Sequence, residues 1–305
     1  MAAIIEVRNL HKRYRDTVAV EDVSLSVQAG EIFGILGPNG AGKSTTVECI
    51  AGIRAPDRGS ITVTGIDPLR DRRAATERVG VQLQSGQLPE RLQVAEALAL
   101  YSSFYPEPAD WRELMDSLGL AGKAKTRYGK LSGGQKQRLS IALALAGNPR
   151  VAILDELTTG LDPQARRDTW SLIENVRARG VTIVLVTHFM EEAERLCDRI
   201  ALIDAGRVVT VDTPAGLTAR AGVEQRFEFR PSAAFADELL TGLPEVSRVE
   251  RRGDLVVVAG ADGALSAVTT VLAQHGVAVR QLRVSQTSLE DAFVTITQSV
   301  AKEQS

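Results

Sequence analysis

The chain has 305 residues, 44% of them hydrophobic and 24% charged, with 36 Lys+Arg against 38 Asp+Glu. That is the composition of a folded globular protein with enough length for one large domain and a small one. It gives no support for nucleic-acid binding, since neither residues 1–225 nor residues 226–305 carry a basic excess.

No run of 18 apolar residues is present to span a membrane, and the longest candidate, Ile141–Ala146, is far too short. The opening residues lack the basic and long apolar regions of a signal peptide, so the cytoplasm is the expected compartment. Cys49 and Cys197 each fall among apolar neighbours on a predicted helix, and both are expected as buried thiols in a reducing environment.

In chain order, short β-like runs at Ile4–Val7, Val18–Val20, Val23–Val27 and Ile32–Leu36 predict strands. Tyr14 falls between the first two. Its spacing suits equally a half-exposed loop tyrosine and a flat face for an adenine ring. The run Glu31–Leu36 leads directly into Gly37-Pro38-Asn39-Gly40-Ala41-Gly42-Lys43-Ser44-Thr45, which satisfies the pattern G-x-x-x-x-G-K-[ST] without a mismatch. A helix is predicted from Thr45 to Ala51. A strand, a glycine loop and a helix N-terminus converge free N–H groups on one point and so make an anion site. Lys43 is placed to reach the β- and γ-phosphates of a nucleoside triphosphate, and the Ser44 hydroxyl to ligate Mg²⁺.

Further strands are predicted at Ser60–Thr64 and Val79–Gln84, and helices over Leu92–Tyr105 and Ala109–Leu118. Leu131-Ser132-Gly133-Gly134-Gln135 then leads into a helix from about Gln135 to Ala146. Taken alone it reads as a helix cap or as a second anion site. Val151–Leu154 is a buried strand ending in Asp155-Glu156, where a metal-holding carboxylate and a water-activating carboxylate belong in a phosphate-loop protein. Gly160-Leu161-Asp162-Pro163 is a turn before an amphipathic helix, Gln164–Arg179. Val181–Val186 is a strand ended by Thr187-His188, which puts the histidine at the ligand edge of a sheet. Short strands at Ile200–Ile203 and Val208–Val211 and a helix at Pro214–Ala219 follow. After a composition shift near residues 220–226, alternating strands and helices form a small unit with no recognisable chemistry.

Over residues 4–217 these motifs, in this order, resemble the ATP-binding cassette (ABC) ATPases. Gly37–Thr45 resembles Walker A, and Tyr14 the adenine-stacking aromatic. Gln84 resembles the Q-loop glutamine, with Gln82 as the other register. Leu131–Gln135 resembles the signature motif, Asp155-Glu156 Walker B and the catalytic base, Gly160-Leu161-Asp162 the D-loop, and His188 the switch histidine. Leu157 departs from the family's usual proline, and residues 226–305 are extra to the minimal cassette. Thr187–Glu194, Cys197–Ile200 and Ser288–Phe293 resemble the drug- and antibiotic-exporter ATPases.

The resemblance implies an α/β P-loop NTPase cassette over residues 1–222. It comprises a mixed sheet core, an antiparallel β subdomain and an α-helical signature subdomain at about residues 85–148. A C-terminal α+β domain over 223–305 completes the chain. It implies MgATP bound between two head-to-tail copies. Ser44, Gln84 and Asp155 would hold Mg²⁺, Glu156 would act on water, and Gln84 and His188 would complete the catalytic set. The nucleotide would contact Tyr14, residues Gly37–Thr45, the Ser132-Gly133-Gly134-Gln135 run and Asp162. The implied partners are a second copy and separate permease subunits at the cytoplasmic face of the membrane, with no nucleic acid, for efflux of a drug, antibiotic or lipid-like compound. An importer motor or a soluble ribosome-associated ATPase is the alternative.

Overall fold

The computed structural model describes residues 3–83, 86–220, 225–261, 263–285 and 288–303. They form two compact units, Met1–Pro214 and Ala215–Ser305. The division falls just after Pro214, the first residue of helix α8 (Pro214–Arg220), a few residues ahead of the composition shift.

The first unit is built on a nine-stranded sheet in the order β4-β1-β2-β9-β8-β3-β7-β6-β5. Its centre is β3 (Ile32–Leu36), β6 (Val151–Asp155) and β7 (Thr182–Val186), in which every residue is buried. Strands covered on both faces read as continuous apolar runs, which is why these three were legible. They pair in parallel with one another, with β5 (Val79–Gln82) beyond β6 and β8 (Arg199–Asp204) beyond β3. β9 (Arg207–Asp212) turns back antiparallel to β8.

On the far side, β1 (Ala3–Tyr14), β2 (Thr17–Gln28) and β4 (Arg58–Val63) pair antiparallel. The runs expected as two strands at 18–20 and 23–27 are one twelve-residue strand, β2. The acidic Glu21-Asp22 between them hid this, although an antiparallel strand with one wet face carries such residues readily. Tyr14 is likewise not a loop residue: it ends β1 and pairs with Thr17.

Helix α1 (Lys43–Ile50) follows the glycine loop. Helix α2 (Arg72–Arg78) was not expected, because Ala75 alone among its residues is buried and it has no apolar stripe to read. What starts it is the Asp71 carboxylate, which accepts the Ala74 N–H at 3.0 Å. Between β5 and β6 come α3 (Val94–Ser102), α4 (Trp111–Ser117) and α5 (Gly133–Leu145), then α6 (Pro163–Ala178) before β7 and α7 (Met190–Leu196) after it. The core includes Phe33, Ile35, Val47, Ile50, Ile153, Val184, Val186 and Ile203. Both cysteines are buried free thiols. Burial pushes Cys49 up to about 11, and Cys197 sits just past the end of α7 rather than within it.

The second unit has a four-stranded antiparallel sheet in the order β11-β12-β10-β13, from β10 (Gln225–Pro231), β11 (Val246–Arg252), β12 (Leu255–Gly260) and β13 (Val279–Ser285). With it go α9 (Glu238–Thr241), α10 (Ala264–Gln274) and α11 (Leu289–Glu303). Phe227, Phe229, Leu240, Val256, Val258, Val268 and Leu272 make a core of its own. No described helix is long and apolar enough to cross a membrane.

Candidate nucleotide site

The glycine loop joins the C-terminal end of β3 to the N-terminus of α1, so the first-turn N–H groups of α1 converge there with the loop backbone. Two glycines are dictated by close approach. A Cβ at Gly37 would stand 2.0 Å from the Ile203 carbonyl oxygen, and one at Gly42 would stand 2.3 Å from that of Ala19. Gly42 also caps α1 at φ 97°, in the left-handed region. The loop is braced from behind by the Gly206 N–H, which donates to the Ala41 carbonyl at 3.1 Å. Pro38, Asn39, Gly40 and Ser44 are exposed and Thr45 is half-buried, so the loop presents an open surface.

Lys43 is 6% exposed, and its Nζ donates to the carbonyls of Gly37 at 2.8 Å and Pro38 at 2.9 Å. Burial holds its pKa down, and the charges of Glu156 and Asp155 partly offset that. These three groups therefore share one electrostatic site.

Asp155 ends β6 and is 3% exposed, with its Oδ1 buried and without a hydrogen-bond partner among the described residues. Burial, then the charge of Glu156, pushes its carboxyl up to about 6. A buried carboxylate oxygen with no partner is costly unless something cationic meets it. Its oxygen and the Ser44 hydroxyl are the kind of donor that suits a hard divalent ion such as Mg²⁺.

Glu156 has a left-handed backbone, φ 51°. Its N–H donates to the Val186 carbonyl at 2.9 Å, which carries the β6–β7 pairing one residue past the strand end. Its Oε1 lies 3.3 Å from His188 Nδ1. The His188 and Phe189 rings lie tilted against each other, centroids 4.1 Å apart, and the Arg166 guanidinium of α6 lies 4.6 Å from the Phe189 ring. Arg166 escaped the sequence reading because it belongs to no motif, and Phe189 figures in it only as part of the exporter-like run that holds His188. Leu157, where the family places proline, is fully buried.

Gln84 lies outside the described residues. Gln82 is a strand residue whose amide is spent internally: its Oε1 accepts the Asp155 N–H at 3.1 Å and its Nε2 donates to the Leu83 carbonyl. Tyr14 is half-buried, with the Arg54 guanidinium 5.0 Å and the Lys12 ammonium 5.6 Å from its ring centroid.

The Ser132–Gln135 run starts α5 two residues earlier than expected, at Gly133. Ser132 Oγ accepts the Gln135 N–H at 3.3 Å and Gln135 Oε1 accepts the Ser132 N–H at 3.0 Å, a reciprocal cap. Asp162 caps α6, accepting from the N–H groups of Gln164 at 3.0 Å and Ala165 at 2.9 Å, with Pro163 at the first helical position. The Ala165 N–H bond is the largest cause holding its carboxyl below the usual range. Both caps line one shallow depression, and the Arg138–Asp168 pair at 2.9 Å ties α5 to α6 beside it. The Ser132 run and Asp162 are thus both secured as helix starts.

A sequence-family profile described as "ABC transporter" matches residues 20–159. Among curated proteins, the Nod factor export ATP-binding protein I of Burkholderia orbicola is 45% identical over 221 residues, covering 70% of this chain and 72% of that protein. The protein of the same name from Cupriavidus pinatubonensis is 37% identical over 308 residues, covering 97% of this chain and 91% of that one. A solved ATP-binding subunit of an ABC transporter superposes with a TM-score of 0.65 at 30% identity, covering 72% of this chain and 93% of its own. A dimeric post-hydrolysis ATP-binding cassette bound to ADP and Pi superposes with a TM-score of 0.61 at 27% identity, covering 68% and 98%.

Proposed function

The chain belongs to the ABC transporter family as an ATP-binding subunit with ATPase activity, and from that premise we propose that it drives an exporter as a head-to-tail dimer beneath separate permease subunits. The observation that carries the catalytic reading is the Glu156 carboxylate, 3.3 Å from His188 and electrostatically linked to Lys43 and to Asp155, whose buried Oδ1 has no partner among the described residues.

Lys43 exchanges the carbonyls of Gly37 and Pro38 for β- and γ-phosphate oxygens, a gain because charge-assisted bonds are the stronger. Residues Gly37–Thr45 wrap the phosphates with backbone N–H groups, and Tyr14 offers a ring to the base. Asp155 and Ser44, with Gln84, would hold Mg²⁺, which would supply charge neutralisation to the phosphates. Glu156 accepts a proton from the attacking water, while His188 fixes the carboxylate and faces the γ-phosphate. Ser132, Gly133, Gly134 and Gln135, with Asp162, act on the nucleotide held by the other copy. One glycine loop and one signature run per chain give each subunit half of two sites.

Permease docking is supported by a groove lined by Val81, Tyr101, Tyr105, Tyr128 and Leu143. Beside it, Phe104 is 67% exposed with its ring 5.8 Å from that of Tyr101. Attachment there would hold the subunit at the cytoplasmic face. Export is supported by the relatives named for Nod factor export. By analogy this cargo is a compound carried outward, recognised by the permease rather than by this chain.

The deciding experiment is Glu156→Gln. It is expected to bind ATP normally, to hydrolyse it about a hundredfold or more slowly, and to accumulate as an ATP-dependent dimer on gel filtration. Turnover at the wild-type rate would remove Glu156 from the catalytic role.

A further inference from the structure

Glu192 is a carboxylic acid with no solvent exposure, on α7, four residues beyond His188. Nothing in the proposed hydrolysis uses it. Its Oε1 accepts the Trp170 indole N–H of α6 at 3.0 Å. The hydroxyls of Thr187 and Thr158 face the same carboxyl. Thr187 immediately precedes His188, and Thr158 stands two residues after Glu156. The Thr158 contact stops short of hydrogen-bond geometry: its Oγ1 and Glu192 Oε2 are both buried without a partner among the described residues. Burial raises the carboxyl's pKa, and the Thr187, Trp170 and Thr158 groups, then the charge of Arg166, pull against that.

A buried carboxyl is costly to keep for stability alone, since an apolar residue of similar volume would fill the space without the desolvation penalty. What this one does is join α6 to α7. Trp170 and Arg166 lie one turn apart on α6. Trp170 holds Glu192, and Arg166 stacks on Phe189 beside His188.

We propose that Glu192 is a positioning residue for hydrolysis: its buried carboxyl, anchored on Trp170, ties α6 to α7 four residues after His188, and so keeps the His188 and Glu156 side chains in contact. The proposal rests on Glu156 and His188 acting in hydrolysis. Displacement of a reacting group by about 1 Å costs up to a hundredfold in rate, so a tie of this kind is read in turnover.

The test uses the full chain and three variants: Glu192→Leu, which keeps volume and removes the polar group; Glu192→Gln, which keeps an acceptor for Trp170; and Trp170→Phe, which removes the donor. Turnover, KM for ATP, affinity for a fluorescent ATP analogue and thermal melting are measured together. Glu192→Leu should lower kcat about tenfold or more with nucleotide affinity within about twofold, and Glu192→Gln should recover most of that loss. In a His188→Ala background the Glu192→Leu effect should shrink toward nothing, because groups that act through one another are not additive, whereas a general loss of packing would add in full. If the leucine variant does not fold, Trp170→Phe reads the same contact and should lower kcat about threefold or more at unchanged affinity.

Wild-type kcat in folded Glu192→Leu or Trp170→Phe, or full additivity with His188→Ala, would overturn the proposal. Glu156→Gln runs in parallel. If it is inactive while Glu192→Leu is normal, only the positioning role fails. If Glu156→Gln is fully active, the underlying catalytic reading fails.

Discussion

Asp155 and Glu156 are adjacent in sequence and live in different surroundings. Asp155 belongs to the last buried step of β6, and Glu156 turns out of the strand on a left-handed backbone. The consequence for Asp155 is a pH dependence with a definite sign. Its carboxyl ordinarily titrates at 3.8 and is pushed up to about 6 in the fold. Below 3.8 folded and unfolded chains both hold the proton and no penalty arises. As pH rises past 6 the unfolded chain ionises first, and stability falls in all by about 3 kcal/mol. In metal- and nucleotide-free buffer, Asp155→Asn should therefore melt higher than the wild type at about pH 8, and the difference should vanish below about pH 4. An asparagine variant with no gain at the higher pH would show that the buried oxygen carries no such cost. Lys43→Ala belongs to the same site. Removing the one ammonium that meets the phosphates should weaken ATP binding about a hundredfold or more in an equilibrium titration, and wild-type affinity would refute the assignment.

Helix starts do two jobs in this chain. The reciprocal cap at Ser132 satisfies the Gln135 N–H and leaves those of Gly133 and Gly134 without an intrahelical partner, as the first N–H groups of any helix are. Asp162 and Pro163 secure α6 in the same way. Capping and ligand contact can be separated at Ser132. Aspartate caps as well as serine and suits the positive end of a helix dipole, but it would set a negative charge against a phosphate. Ser132→Asp should therefore keep its melting temperature to within about 2 °C while ATPase turnover collapses and ATP binding by the isolated subunit persists. Full turnover would sink the idea that this helix start meets the nucleotide of another copy.

At the scale of the whole molecule the chain divides in two, and each unit has a core of its own. Every residue assigned to nucleotide chemistry lies before residue 190, well inside the first unit. A chain ending at Arg220 keeps α8, whose Leu217 is fully buried, and should fold and bind ATP with near-normal affinity while losing dimer stability or permease assembly. Nucleotide titration and co-purification with the membrane subunit, measured on the same protein, check it. A shortened protein that stays folded yet no longer binds ATP would place part of the second unit in the site.

The residues themselves determined the glycine loop, the acidic pair at the end of a buried strand, and the cassette fold that the solved relatives share. All of these are local signals: fixed spacings, and apolar runs that only two-faced burial requires. The tertiary structure alone decided what meets what. Glu156 and His188 stand 32 positions apart and touch because β6 and β7 run parallel in a register that pairs Asp155 with Val186, so that both strands deliver their following residues to one edge. Gln82 is withdrawn from the ligand set because its amide is bonded to the Asp155 backbone. Glu192 is one acid among three on α7, and only the packing of α6 shows that it is the buried one. Register and packing arise between segments distant in sequence, so no window along the chain contains them.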